Sequence, residues 1–185
     1  MATPALPPSS RPAARDALLI AVGVASGLLA AVAIAMVAAV GRQRGGEEAT
    51  WLHLLIGVAM LAGVVGVAAW RGNRPGFQRP LHSLPAIAAL AVTCGALALA
   101  SFRGLEWYYL LSGVLSTAVF LLVTWLLVRV SLALYIASNT LGMVFGSLVL
   151  DHLGAFGAPE HDLTLPRAAG AVLVAVGVAW VRTGK

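Results

Sequence analysis

From Trp107 to Leu150 the chain runs 44 residues with one charge, Arg129. As a single straight helix that stretch would reach about 66 Å at 1.5 Å per residue, twice the hydrocarbon core of a bilayer. It therefore has to be two spans folded back on each other at Arg129, Val130 and Ser131, with Ser131 as the N-cap of the second. In hydrocarbon the backbone of such a run is satisfied only as helix, because strands leave unpaired edges and barrel strands are about half as long.

The remainder of the chain repeats the pattern. Of 185 residues, 60% are hydrophobic and 10% charged, too few polar groups to cover a soluble globule of this size. The expected fold class is all-α, a polytopic integral membrane helical bundle. Six spans are expected, at about 17–41, 51–70, 84–102, 107–128, 130–150 and 163–181. The first is an uncharged run too long for a signal-peptide core, and is read as an uncleaved span. The second is bracketed by Trp51 and Trp70 at the two interfaces and carries His53 in its first turn. Pro85 opens the third, in a first turn where its missing N–H costs nothing. Trp107, Tyr108 and Tyr109 form an aromatic belt at the start of the fourth. In the sixth, Arg167 snorkels to the headgroups. Residues 1–16, rich in Pro, Ala and Ser, read as a disordered cytoplasmic tail, and 17–185 as one transmembrane domain.

The charges sit at the ends of the apolar runs. With six crossings, Arg11, Arg15, Arg71, Arg74, Arg79, Arg129, Arg182 and Lys185 share one side, 8 in all, against 4 on the other. The positive-inside rule then puts both termini in the cytoplasm of a plasma (inner) membrane protein. Scattered flanking arginines argue for the lipid bilayer as partner and against nucleic acid, which would want clustered cations with interleaved aromatics. Cys94 is the single cysteine and has no partner for an intrachain disulfide. A weak internal echo relates Ser26-Gly27-Leu28-Leu29 to Ser112-Gly113-Val114-Leu115 and Leu84-Pro85 to Leu165-Pro166, at offsets of 86 and 81. Three spans separate the partners, so the two halves would form a 3+3 inverted repeat.

The fifth span holds the polar residues of most interest, Ser138, Asn139 and Thr140 near its centre. An amide at that depth must face another helix or a wet cavity, so Asn139 either lines a substrate path or bonds a neighbouring helix. Ser112 and Ser116 share a face of span four at i and i+4, open to the same two readings. Gly23 with Gly27, and Gly142 with Gly146, stand at G-x-x-x-G spacing and are read as helix-packing pairs, a dimer contact being a further use. Beyond span five come Asp151, His152, Gly154 and Gly157. An acid at a helix C-terminus is disfavoured by the macrodipole, so Asp151 should gain donors from the loop or from a neighbouring helix start. The group then serves as a structural latch or as a gate. Glu160, His161 and Asp162 lack metal-ligand spacing and read as a solvated acidic loop, so no metal and no cofactor is expected. No nucleotide loop, zinc-protease motif or membrane acid–base cluster points to an enzyme.

The run GSLVLDHLGAFG followed by LTLPRAAGAVLVAVGVAW resembles the C-terminal part of the YdcZ-type inner-membrane exporters of the drug/metabolite transporter superfamily, whose segment reads much like S-L-L-I-D-H-F-G-L-F-G. The likeness is most specific over Gly142 to Val181, looser over Glu106 to Arg129 and Gly27 to Trp70. It singles out Asp151 and His152 and implies a small helical transporter of about five spans, with the run at 84–102 inserted here. It also implies a homodimer or a heterodimer with a related small membrane protein, moving a small-molecule solute. Family members tend to carry Gln and Asn where Ala33 and Val37 stand, and Gln where Met143 stands. With no acid inside any span, the resemblance leaves room for the less active partner of a pair, or a non-transporting scaffold subunit.

Overall fold

A computed structural model describes residues 11–73, 76 and 83–183, with side chains from residue 15 onward. Six helices, α1 (Arg11–Arg44), α2 (Gly46–Trp70), α3 (Leu84–Ser101), α4 (Leu111–Leu127), α5 (Leu132–His152) and α6 (Leu165–Thr183), make an all-helical polytopic bundle. Each is long and apolar enough to cross a bilayer, α4 when counted with the 3₁₀ turn Trp107–Leu110 that leads into it, and no strand occurs among the described residues.

Several boundaries move outward from the sequence reading. α1 begins at Arg11, so residues 11–16 are helix and not tail; Pro12 takes a first-turn position and Ala13 and Ala14 carry the helix on. Residues 1–10 of the expected tail lie outside the described residues. α2 begins at Gly46, five residues before Trp51, with Glu47 and Glu48 in its first turn where the macrodipole favours acids. The reversal at Arg129 is present. Ser131 caps α5 by accepting the Leu134 N–H at 3.3 Å, and Arg129 lies over the Trp125 ring, 4.0 Å from its centroid. Tyr109, expected in the belt, turns inward instead; it is buried, and its hydroxyl accepts from Gln43 Nε2 at 3.3 Å.

The main core cluster mixes large side chains, Met36, Leu52, Leu55, Ile56, Phe102 and Tyr109, with Ala39, Ala49 and Ala98. α1 lies at the centre of the bundle, packed on α5, α4 and α2; α2 also packs on α3 and α4, α5 on α6, and α4 touches α5. Exchanging α1 with α4, α2 with α5 and α3 with α6 turns each of these pairs into another of them, save α1–α4, which maps onto itself. That symmetry is what a 3+3 repeat requires of its packing. Large apolar side chains such as Leu18, Trp70 and Trp180 face outward, as a lipid solvent demands.

α1 and α5 meet backbone to backbone. A Cβ placed on Gly27 would collide with the carbonyl oxygen of Asn139, and one on Gly142 with that of Val24. Gly23 meets Ser138 and Gly146 meets Ala31 in the same seam, so both G-x-x-x-G pairs are used against each other within one chain. The order of these contacts, 23 with 138 and 31 with 146, makes α1 and α5 parallel.

Candidate functional site

Ser26 is fully buried on α1, with its Oγ 2.7 Å from Gly23 O and 3.0 Å from Asn139 Oδ1. Its one proton serves either acceptor. Asn139 Nδ2 in turn donates to Met143 Sδ at 3.5 Å, one turn along α5. Asn139 is therefore bonded across the α1–α5 seam. Ser138 is buried in the same seam and donates back to Leu134 O and Tyr135 O at 2.8 and 3.0 Å.

Thr140, one position on, faces a different space. It lines a cavity of about 540 Å³ between the C-terminal halves of α1 and α5. Ala31, Ile34, Ala35 and Ala38 supply one wall and Met143, Val144 and Leu150 the other. One end carries Arg42 and Asp151, the cation and the anion of walls whose other polar groups are the Thr140 and Ser147 hydroxyls.

The loop after α5 closes that end. Gly154 and Gly157 have φ of 56° and 72°, left-handed values that glycine takes without a Cβ penalty. Phe156 between them has φ 56° as well, which a side chain adopts only at a cost. It is held there from outside: Arg42 of α1 donates to Phe156 O at 3.0 Å, and its ring sits 6.2 Å from that of Tyr108. Asp151 Oδ2 accepts from Arg167 at 3.3 Å, and Asp151 O accepts the His161 N–H at 2.9 Å. The carboxylate thus draws its donor from a neighbouring helix start, while the loop bonds the main-chain carbonyl of the same residue. His152 is exposed and turns away, toward a second apolar hollow between α5 and α6.

Ser112 and Ser116 belong to neither of these places. They face His53 of α2: Ser112 Oγ lies 3.4 Å from Nδ1 and Ser116 Oγ 3.1 Å from Nε2. The repeat relates this cluster to the first, since Ser26 to Ser112 and His53 to Asn139 are both 86 residues. Gly113 follows suit, its missing Cβ leaving room for Ile56 and the Gly57 N–H as Gly27 leaves room for Asn139 and the Met143 N–H. Beside His53 is a smaller cavity of about 180 Å³. Leu54, Val58, Leu61 and Phe120 on its wall stand 86 residues from Thr140, Val144, Ser147 and Ile34 of the larger one.

The sequence reading gave no role to Ser26, His53, Arg42 or Met143. A signal existed for two of them: Ser26 opens the internal echo, and His53 is the only ionisable side chain between Glu48 and Arg71.

Fold and site together define a multi-pass helical membrane protein with a polar-ended cavity between parallel helices. Its sequence matches a family model described as "Putative inner membrane exporter, YdcZ" over residues 18–180, and the chain belongs to that family. Neither the curated proteins nor the solved structures hold a match to it. Membership, with the six apolar helices, points to a membrane transporter.

Proposed function

We propose that this chain is a subunit of a dimeric exporter for a small apolar or amphipathic solute, with both termini cytoplasmic and the α1–α5 cavity as part of the path. The observation that carries the reading is that cavity, large enough for a small ligand and mostly apolar along its length, with the Thr140 and Ser147 hydroxyls on its wall and the charges of Arg42 and Asp151 at one end. Apolar walls suit a hydrocarbon body, and the charged end suits a polar head. Support for a dimer comes from the outer helices, since among the described residues α3 packs chiefly on α2 and α6 chiefly on α5, leaving faces for a second subunit. The path follows the Thr140 and Met143 face of α5 in this reading, with Asn139 behind it in the seam. A scaffold role draws on the same Ser26–Asn139 bond, a structural use of the span's most polar residue.

The test compares metabolites inside and outside cells that lack the protein, overproduce it, or make Ala35→Phe or Asn139→Leu at equal membrane levels. A solute that accumulates without the protein, leaves when it is restored, and is retained by Ala35→Phe supports export through this cavity. Retention by Asn139→Leu alone would move the path to the seam. No change in any strain would refute export and leave the scaffold.

A further inference from the structure

We infer that the α2–α4 seam is a proton-binding site, with His53 as the acceptor and the Ser112 and Ser116 hydroxyls as its cradle, and that charging His53 loosens this seam. Each ring nitrogen has a hydroxyl within reach, at 3.4 and 3.1 Å. In the neutral ring one nitrogen donates and the other accepts. A serine hydroxyl matches either role, so adding a proton to the free nitrogen makes both nitrogens donors and both hydroxyls acceptors, with no partner lost. The cradle therefore serves both protonation states.

The surroundings do not. His53 sits in an apolar seam and lines the smaller cavity with Leu54, Val58 and Phe120, where a full charge is costly unless water reaches it. Among the described residues of the helices packed around it no countercharge stands ready, the nearest acid on the α4 side being Glu106, before the turn that leads into α4. α4 carries no acid or base, α3 only the Cys94 thiol, and α1 none between Asp16 and Arg42. On α2 itself Glu48 is paired with Arg44 at 2.7 Å, and Glu47 lies in the first turn. Relief comes from opening the cavity toward water, which pulls α2 from α4.

The repeat sharpens the point. In the equivalent α1–α5 seam the partner of the serine is Asn139, whose amide takes up no proton, and the backbones there touch. One of two matched seams is titratable and the other is locked, so a proton acts on one side of the bundle only. Use of that proton to couple export rests on the function proposed above; the site itself does not.

The experiment uses the full chain in lipid nanodiscs with Cys94→Ser. A cysteine is placed by Gly57→Cys, on the smaller cavity's wall where a Cβ has open space, or by Met143→Cys, its repeat mate in the larger cavity. The ratio of their labelling rates with a water-soluble maleimide is followed from about pH 8 to about pH 4.5, wider than the range of about 5 to 8 over which a free imidazole charges. The ratio should rise roughly fivefold or more with His53 present and stay flat with His53→Asn, which installs the amide of the other seam. A flat ratio in the parent, or a rise that survives His53→Asn, overturns the proposal. Ser116→Ala keeps the imidazole and removes one hydroxyl, so the rise should persist with a displaced midpoint; an unchanged midpoint overturns the cradle. The readout is seam opening and not flux, so a failure to find an exported solute leaves it intact.

Discussion

Gly27→Ala adds one methyl group at the point where α1 meets α5. The new Cβ would collide with Asn139 O and lie only 2.8 Å from Met143 N and 2.9 Å from the Asn139 carbonyl carbon. Comfortable separations for such atoms are about 3.5 Å or more, so the two backbones have to part by well over half an ångström. Overpacking of this kind costs about 1–3 kcal/mol. Parting the helices also stretches the 3.0 Å Ser26–Asn139 contact past hydrogen-bond range, a loss of about 0.6 kcal/mol for an average bond between membrane helices. Alanine gains about 1 kcal/mol in helix propensity, and this must be subtracted out. Gly177→Ala does that, since it brings the same propensity on α6 with nothing within 4 Å of the new Cβ. The difference between the two variants is then about 2–4 kcal/mol, roughly 30- to 700-fold in the unfolding equilibrium. Reversible unfolding in mixed micelles of a denaturing detergent, followed by far-ultraviolet circular dichroism, measures it. If Gly27→Ala unfolds within about 0.5 kcal/mol of Gly177→Ala, the backbone contact is not what holds α1 to α5. The double variant with Gly142→Ala should cost less than the sum, because one separation relieves both collisions.

Three further outcomes follow from local geometry and use the same unfolding assay. Ser131→Ala removes the cap of α5 and should cost about 1 kcal/mol; no change would mean that the reversal at Arg129 holds without it. Asp151→Asn breaks a partly exposed ion pair with Arg167 and should cost under about 1 kcal/mol, whereas a loss of several would make the pair a main support of the fold. Arg44→Ala removes donors to Ser101 O, Arg103 O and Glu48 that tie the α1–α2 turn to the α3–α4 loop, so cleavage by a protease at Arg103 should accelerate severalfold; an unchanged rate would refute the tie.

What the residues disclosed in advance follows a simple division. Features fixed by neighbours in sequence were legible: the six apolar runs, the reversal at Arg129, the Ser131 cap and the need of Asp151 for donors. Features fixed by distant partners were not. Asn139 announced that it needed a partner, but Ser26 stands 113 positions away and only assembly brings them together. The two G-x-x-x-G pairs were each visible, and nothing in either said that the other was its mate. His53 passed without a role because its hydroxyl partners lie on α4, 59 and 63 residues on. Phe156 gave no signal at all, since an aromatic residue is among the last expected at a positive φ and its restraint comes from Arg42 on another helix.

The parallel pairing of α1 with α5 also sets a waiting time. Gly142 emerges from the ribosome 115 residues after Gly27, roughly 6 to 23 s later at 5–20 residues per second. Through that interval the glycine face of α1 has no mate, and α2, α3 and α4 are inserted beside it. Ser26 can endure the delay because its proton is already given to Gly23 O within its own helix. Asn139 brings the amide late, to a seat that the first half of the chain has kept open.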